Sequence, residues 1–338
     1  MRAYELVDGT DPAAIAIKNR PRPRPRAGQV VIDVKACSLN YRDLLIVKGT
    51  YPALGRTVGV TPCSDGAGVV SAIGEGVEDF AIGDRVAGAF MPDFIDGVLT
   101  PKLQAGSLGG AVDGMLAEQV VLTAHGVVKI PSHLSFEEAS TLPCAGVTAW
   151  YALFVGGALR PGQTVLLLGT GGVSVFALQF AKLAGARVII TSSDDEKLAR
   201  AAELGADHLI NYRKDEDWQK TVLDLTEGIG ADLAVEVGGP GTINKTLEAV
   251  RYGGSISLMG VLTGMADTVA TGLILSKNIK IQGTYVGSVS MFREMNKAIA
   301  LHQLKPVVDR VFSFEEASEA LAYLESGKHF GKIVVTTT

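Results

Sequence analysis

The stretch Val165-Leu166-Leu167-Leu168-Gly169-Thr170-Gly171-Gly172-Val173-Ser174 has the residue types needed to hold a diphosphate. Its four leading apolar residues predict a buried strand, and Val175–Ala184 predicts a helix directly after the glycines. Gly169 permits a tight turn between the two. Gly171 removes the side chain that would keep an anion away from the backbone. Gly172 and Val173 open the helix, whose first N–H groups and dipole attract negative charge. Ser174 takes the third small position of the motif, which still lets helix and strand pack closely. A second strand, Val188–Thr191, follows at the distance that a dinucleotide-binding βαβ unit requires.

The end of that second strand bears on which nucleotide fits. An NAD site usually places a carboxylate there to bond the ribose 2′-hydroxyl. This chain has Thr191-Ser192-Ser193, and a carboxylate appears only at Asp194. Ser192, Ser193 and Lys197 suit a 2′-phosphate instead, which points to NADP(H). Tyr212 and Arg213 follow the third strand and are placed to cover the adenine end. An alternative stays open, in which Asp194 and Asp195 cap the next helix and Lys197 is merely solvated.

The elements that carry these residues fall into two patterns. Val30–Lys35, Gly68–Ile73, Asp84–Ala89, Ala117–Leu122 and Val127–Ile130 read as short strands with glycine turns between them. Met91–Gly114 reads as an irregular surface loop. The alternating Arg20–Arg26 run with proline reads as an extended, solvated lead-in to a strand. From Ser135, a predicted helix cap followed by Phe136-Glu137-Glu138, strands and helices alternate. Val165–Leu168, Val188–Thr191, Leu209–Ile210, Leu233–Val237, Ser255–Met259 and Ile279–Thr284 are six apolar runs. Such runs between helices predict an α/β fold with a parallel sheet covered on both faces. Two amphipathic helices, near Phe292–Leu301 and Phe314–Ser326, and a strand Lys332–Val335 complete the pattern.

Composition narrows the function classes. The chain has 338 residues, 47% hydrophobic and 20% charged, which fits a globular protein of two lobes. A net charge of −5 offers no basic face for nucleic acid. Cys37, Cys63 and Cys144 are too few for a disulfide framework, and a cytoplasmic setting is expected. No apolar run is long enough to span a membrane, and no signal-peptide pattern opens the chain.

Several further segments resemble the medium-chain dehydrogenase/reductase superfamily. They are Ala36-Cys37-Ser38-Leu39-Asn40-Tyr41-Arg42-Asp43, Ser64-Asp65-Gly66-Ala67-Gly68-Val69-Val70 and Leu142-Pro143-Cys144-Ala145-Gly146-Val147-Thr148-Ala149-Trp150. The glycine turn, Gly185-Ala186-Arg187 and Leu204-Gly205-Ala206-Asp207-His208 follow in order. The resemblance covers essentially the whole chain. It implies a GroES-like β-rich catalytic domain over 1–134, completed by 290–338. It also implies a Rossmann NADP-binding domain over 135–289 with a doubly wound, six-stranded parallel sheet.

Within that superfamily the chain looks most like the zinc-free quinone-oxidoreductase branch. Asn40 stands where the zinc alcohol dehydrogenases carry a cysteine ligand, and Ser64 where they carry a histidine. Asp65 keeps the acidic position and Cys144 matches a third ligand, now read as a small buried residue. No catalytic metal is therefore expected, and the cysteines for a structural zinc lobe are missing. Without a Lewis acid, hydrogen-bond donors must stabilise charge on a substrate oxygen. That favours quinones and α,β-unsaturated carbonyls, whose charge is delocalised. A metal-free alcohol dehydrogenase or aldehyde reductase is the alternative, and a non-catalytic NADPH-binding protein is another.

Asn40 is the leading candidate to touch nicotinamide or substrate, although an Asx-type turn before the next helix would also explain it. Tyr41 and Tyr51 offer phenolic donors, and Asp43 is expected to cap or pair locally. By resemblance, Thr148, Gly238, Gly239, Gly260, Val261 and Leu262 line the cofactor crevice. Val286, Gly287 and Ser288 face the carboxamide, and Gly331 and Lys332 close over the cofactor. The lone histidines read as solvated. The family also implies a small-molecule substrate and a homodimer pairing through Ile279–Thr284.

Overall fold

The computed structural model describes residues 1–9, 13–51 and 58–337. Two compact units divide the chain: Met1–Val147 with Val286–Thr338, and Thr148–Tyr285.

In the first unit the chain forms β1 (Arg2–Leu6), β2 (Ile15–Asn19), β3 (Gln29–Ser38), β4 (Asp65–Ile73), β5 (Arg85–Gly88), β6 (Gln119–Thr123) and β7 (Val127–Lys129). The second unit contributes β8 (Thr164–Leu167), β9 (Arg187–Ser192), β10 (His208–Asn211), β11 (Ala231–Glu236), β12 (Val250–Leu258) and β13 (Lys280–Gly283). The chain then returns to the first unit as β14 (Val308–Phe312) and β15 (Lys332–Thr336).

The first unit's main sheet runs β14-β15-β3-β4-β5-β7, with β6 also paired to β3. All its pairings are antiparallel except β14 with β15. This is the GroES-like lobe. Its core gathers Val30, Ile32, Val34, Val70, Val86 and Leu122 with Phe312, Phe314, Leu321 and Ile333 from the chain's return. The alternation along β3 explains the register, because residues two apart share one face. Tyr4 fastens β1 to the returning segment: its ring lies 5.0 Å from that of Phe314 and its hydroxyl donates to the Phe314 carbonyl at 2.8 Å.

One expectation for this unit needs correction. Met91–Gly114 is not simply a surface loop. Met91, Phe94 and Leu108 in it are buried, and Pro101–Ala105 is a short helix with Thr100 as its cap. Large apolar side chains pulled the segment inward despite its lack of periodicity. The strands β1, β2 and β14 were not foreseen, since each is short and half-polar. The Arg20–Arg26 run does lie extended on the surface before β3.

The second unit is a six-stranded parallel sheet in the order β10-β9-β8-β11-β12-β13. In chain order within this unit that reads 3-2-1-4-5-6, the doubly wound Rossmann arrangement. Its central strands β8, β9 and β11 are buried without regular alternation, as Val165, Leu166 and Leu167 at 0% exposure illustrate. Lys277 closes the helix Pro240–Ala249 by donating to the carbonyls of Leu247 and Glu248, both at 2.8 Å. A cation at that end satisfies orphan carbonyls and complements the helix dipole. Burial nevertheless holds its ammonium pKa below the usual lysine range.

Ser135 caps the helix Phe136–Ser140, accepting the Glu138 N–H at 3.2 Å while Glu138 accepts the Ser135 N–H at 2.8 Å. This reciprocal pair is the one that the S-x-x-E spacing predicts. Among the described residues, no helix is long and apolar enough to cross a membrane.

Candidate functional site

In the second unit, β8 runs into Gly169 at φ +71°, a left-handed conformation that favours glycine. A Cβ added at Gly169 or Gly171 would meet no protein atom within 4 Å. These positions therefore border open space. Gly171 is the cap residue of the helix Gly172–Leu183, and no side chain caps that end. The first amides are left for an outside acceptor, which is the arrangement that suits a diphosphate. Gly172 and Val173 begin this helix and are partly exposed. Ser174 turns away from that space: its hydroxyl donates to the Leu168 carbonyl at 2.7 Å and ties helix to strand.

The residues assigned to the adenosine end spread around the end of β9. Ser192 is buried, its hydroxyl 3.3 Å from that of Thr170. Asp194 accepts from the amides of Glu196 and Lys197 and so caps the helix Asp195–Glu203. Ser193 and Lys197 are partly exposed, and Tyr212 and Arg213 are exposed beyond β10. Asn211 of β10 pairs in register with Ser192, which places Tyr212 beside the end of β9.

The strand-end turns of the same unit are knitted by a buried carboxylate that sequence reasoning missed. Glu236, fully buried at the end of β11, accepts from the amides of Gly238 and Gly239 at 2.8 and 3.0 Å. It also accepts from the hydroxyls of Thr242 at 2.7 Å and Thr246 at 2.5 Å. The signal was available: one acid at the end of an apolar strand, followed by two glycines and then hydroxyls. Gly260 crosses this turn so closely that a Cβ would lie 1.6 Å from the Val237 carbonyl oxygen. Val261 is partly exposed, Leu262 is exposed, and Thr148 is buried in this unit.

In the first unit, residues far apart in sequence meet around Asn40. Lys332, 3% exposed at the start of β15, donates to the Leu39 carbonyl and to Asn40 Oδ1, both at 2.6 Å. The amide nitrogen of Asn40 lies 3.4 Å from Ser64 Oγ, and Ser64 donates to Asp65 at 2.7 Å. The other oxygen of Asp65 accepts the Cys144 amide at 3.0 Å. Ser64 and Asp65 are fully sealed, while Asn40 keeps 8% of its surface open. Burial pushes the Asp65 carboxyl above the usual range, opposed by the charge of Lys332 and by hydrogen bonds from Ser64, Asn40 and Cys144.

Asp43 does pair locally, accepting the Asn40 N–H at 2.8 Å and facing Arg42 at 3.7 Å. Burial raises its carboxyl to about 6. Tyr41 is exposed and does not join the buried cluster. Tyr51 packs on the lobe's core, its ring centre 5.4 Å from the Arg42 guanidinium. Val286 has a φ of +55°, rare for a β-branched residue, and Ser288 caps the helix Val289–His302. Gly331 has a φ of +79° and abuts the Val307 carbonyl, which delivers Lys332 inward. Lys332 thus spends two N–H groups on protein oxygens. Among the histidines, His125 pairs with Asp93 at 2.8 Å at the surface, while His133 contacts the Leu304 carbonyl at 3.0 Å.

Comparison with known proteins now places the chain. The zinc-binding dehydrogenase family matches residues 172–301, and the GroES-like domain of alcohol dehydrogenases matches residues 26–132. A zinc-type alcohol dehydrogenase-like protein of Schizosaccharomyces pombe is 46% identical over 314 residues, covering 91% of this chain and 90% of that protein. A solved NAD-dependent alcohol dehydrogenase is 35% identical over 100% of both chains, with a TM-score of 0.91. A quinone oxidoreductase of Pseudomonas syringae is 27% identical over 99% of both chains, with a TM-score of 0.84. The chain belongs to the medium-chain dehydrogenase/reductase superfamily of oxidoreductases, as a zinc-type alcohol dehydrogenase-like member. The more similar relatives thus carry alcohol dehydrogenase names, whereas the quinone-oxidoreductase likeness expected from sequence is the more distant one.

The zinc that these names imply does not fit the residues at its expected place. An amide, a hydroxyl and a thiol stand there, with no imidazole, and the amide oxygen already holds an ammonium. Burial and the nearby Asp65 charge push the Cys144 thiol up. Among the described residues, no group of three His, Cys, Asp or Glu is placed to hold a metal ion.

Proposed function

We propose that the protein is an NADPH-dependent reductase of quinones or α,β-unsaturated carbonyls that works without a catalytic metal. One observation carries this reading: at the place of the zinc ligands stands a hydrogen-bond donor set, anchored by Lys332 and Asp65. Such donors stabilise partial charge on oxygen best when that charge is shared over a conjugated system. Asn40 keeps more of its surface open than Ser64, Asp65 or Lys332, so its amide is the proposed donor to the substrate. NADPH, when bound, supplies the hydride. The open glycine turn and uncapped helix at Gly169–Val173 would hold its diphosphate, and the Glu236 clamp would keep the neighbouring turn rigid.

The preference for NADPH rests on Ser192, Ser193 and Lys197, together with an Asp194 committed to capping its own helix. A relative named as NAD-dependent favours the other nucleotide. Ser192→Asp combined with Lys197→Ala is expected to lower the NADPH-to-NADH ratio of kcat/KM at least tenfold. An unchanged ratio removes the assignment.

A second reading, reduction of simple aldehydes or oxidation of alcohols, is favoured by the relatives' names. Purified protein assayed with quinones, enones, aldehydes and alcohols, with and without a chelator, separates the two. Reduction of quinones or enones that survives the chelator is the expected result. Turnover of simple alcohols alone, abolished by the chelator, overturns the metal-free reading.

A further inference from the structure

We infer that Lys332 is a positioning residue that fixes which end of the Asn40 amide faces the substrate oxygen. The inference rests on the metal-free reading above and names how its donor is set. An asparagine amide can turn over, exchanging a donor for an acceptor with almost no change of shape. Left to itself, such an amide would turn to suit each new partner. Here an ammonium, 97% hidden from solvent by its 3% exposure, sits 2.6 Å from one end. That end must therefore be the oxygen, because an ammonium only donates.

The direction then propagates through the cluster. Lys332 donates to Asn40, Asn40 to Ser64, and Ser64 to Asp65, whose second oxygen takes the Cys144 amide. A cation at one end and a carboxylate at the other give every hydrogen bond the same sense. The Asn40-to-Ser64 step, at 3.4 Å, lies at the long limit for a hydrogen bond, so this N–H is the one that a closer and more negative oxygen would take over, while Asp65 also accepts from the amide. Removing the ammonium takes away the short bond that holds the amide oxygen and leaves the long Ser64 contact and Asp65 as its remaining guides, so the amide more often presents its oxygen, which repels an oxyanion. Lys332 acts through Asn40 and does not itself need to touch substrate or cofactor.

A double-mutant cycle with Asn40→Ala and Lys332→Met tests this, using whichever acceptor the wild type reduces best. Asn40→Ala should lower kcat about 100-fold, the usual cost of losing one oxyanion donor. Lys332→Met should lower kcat about tenfold or more, with the NADPH Kd changed by less than about threefold. The double variant should be no slower than Asn40→Ala alone. Additive losses overturn the inference, as does a weakened NADPH Kd with unchanged kcat, since Lys332 would then grip the cofactor.

Lys332→Met leaves Asp65 without its cation and can fail to fold. Lys332→Met with Asp65→Asn removes both charges and keeps the cycle usable. A second readout needs no turnover: the side-chain amide signals of Asn40 in the full chain, labelled with nitrogen-15 on asparagine. They should move and exchange faster with solvent when Lys332 is replaced. Signals unmoved by that replacement overturn the inference even if no acceptor is turned over, whereas a silent acceptor panel with shifted signals overturns only the proposed reaction.

Discussion

The turn at Gly169–Gly172 is made almost wholly of backbone, whereas the cluster around Asn40 is made almost wholly of side chains. The turn works by leaving space empty and amides unspent. The cluster works by spending nearly every polar atom on another within the lobe. A backbone site is written in consecutive residues, and losing one side chain there should alter binding without altering the fold. A buried side-chain site is shared between distant segments and carries charge, so stability and chemistry are coupled in it.

That contrast can be broken by experiment. Asp65→Ala should give the largest loss of stability, about 1–3 kcal/mol for each of the Ser64 hydroxyl and the Cys144 amide, which it leaves buried without their acceptor. Denaturant unfolding measures it, and a loss below about 1 kcal/mol would mean that the cluster is not energetically coupled.

The next effect is a pH slope. Asp43 has its carboxyl raised from 3.8 to about 6 by burial, with Arg42 and Lys332 opposing and Asp65 reinforcing. The folded state therefore binds this proton more tightly than the unfolded chain. Its contribution is present below about pH 4 and lost as pH rises to about 6, so stability should fall by up to about 3 kcal/mol across that window. Most paired carboxylates give the opposite slope. Asp43→Asn should flatten it, and unfolding midpoints between pH 4 and 7 for the two proteins decide the matter.

Gly171→Val should have the smallest effect on the fold, since a Cβ there meets nothing within 4 Å. The cofactor should bind about 100-fold more weakly, with the unfolding midpoint shifted by less than about 1 °C. A variant that binds NADPH normally would show that the turn does not approach the diphosphate.

The same contrast explains what the sequence revealed. The glycine turn, the Ser135 cap and the six strands of the Rossmann lobe all follow from local pattern, since each signal lies within about ten residues. Glu236 was legible in principle but looked like the polar end of a strand. The contact between Asn40 and Lys332 was not legible, because its partners stand 292 residues apart and only the pairing of β15 with β3 joins them. Resemblance pointed to both residues but not to their meeting. Met91–Gly114 misled for another reason: its apolar residues are buried without any period that reveals a face.

The pairing of β15 with β3 also bears on how the molecule is made. The unit Thr148–Tyr285 holds all six of its strands in one continuous span and can close during synthesis. In the first lobe β4 and β6 can pair with β3 early, but its Ala36–Ser38 end must wait for its β15 partner until residues 332–336 have emerged. Its contacts across some three hundred residues make it the slower folder. In a nascent chain, Asp65 stays without its cation for most of that wait. The last strand to arrive brings both the missing hydrogen bonds and the missing ammonium, so the Asn40 cluster gains its order and its cation in the same step.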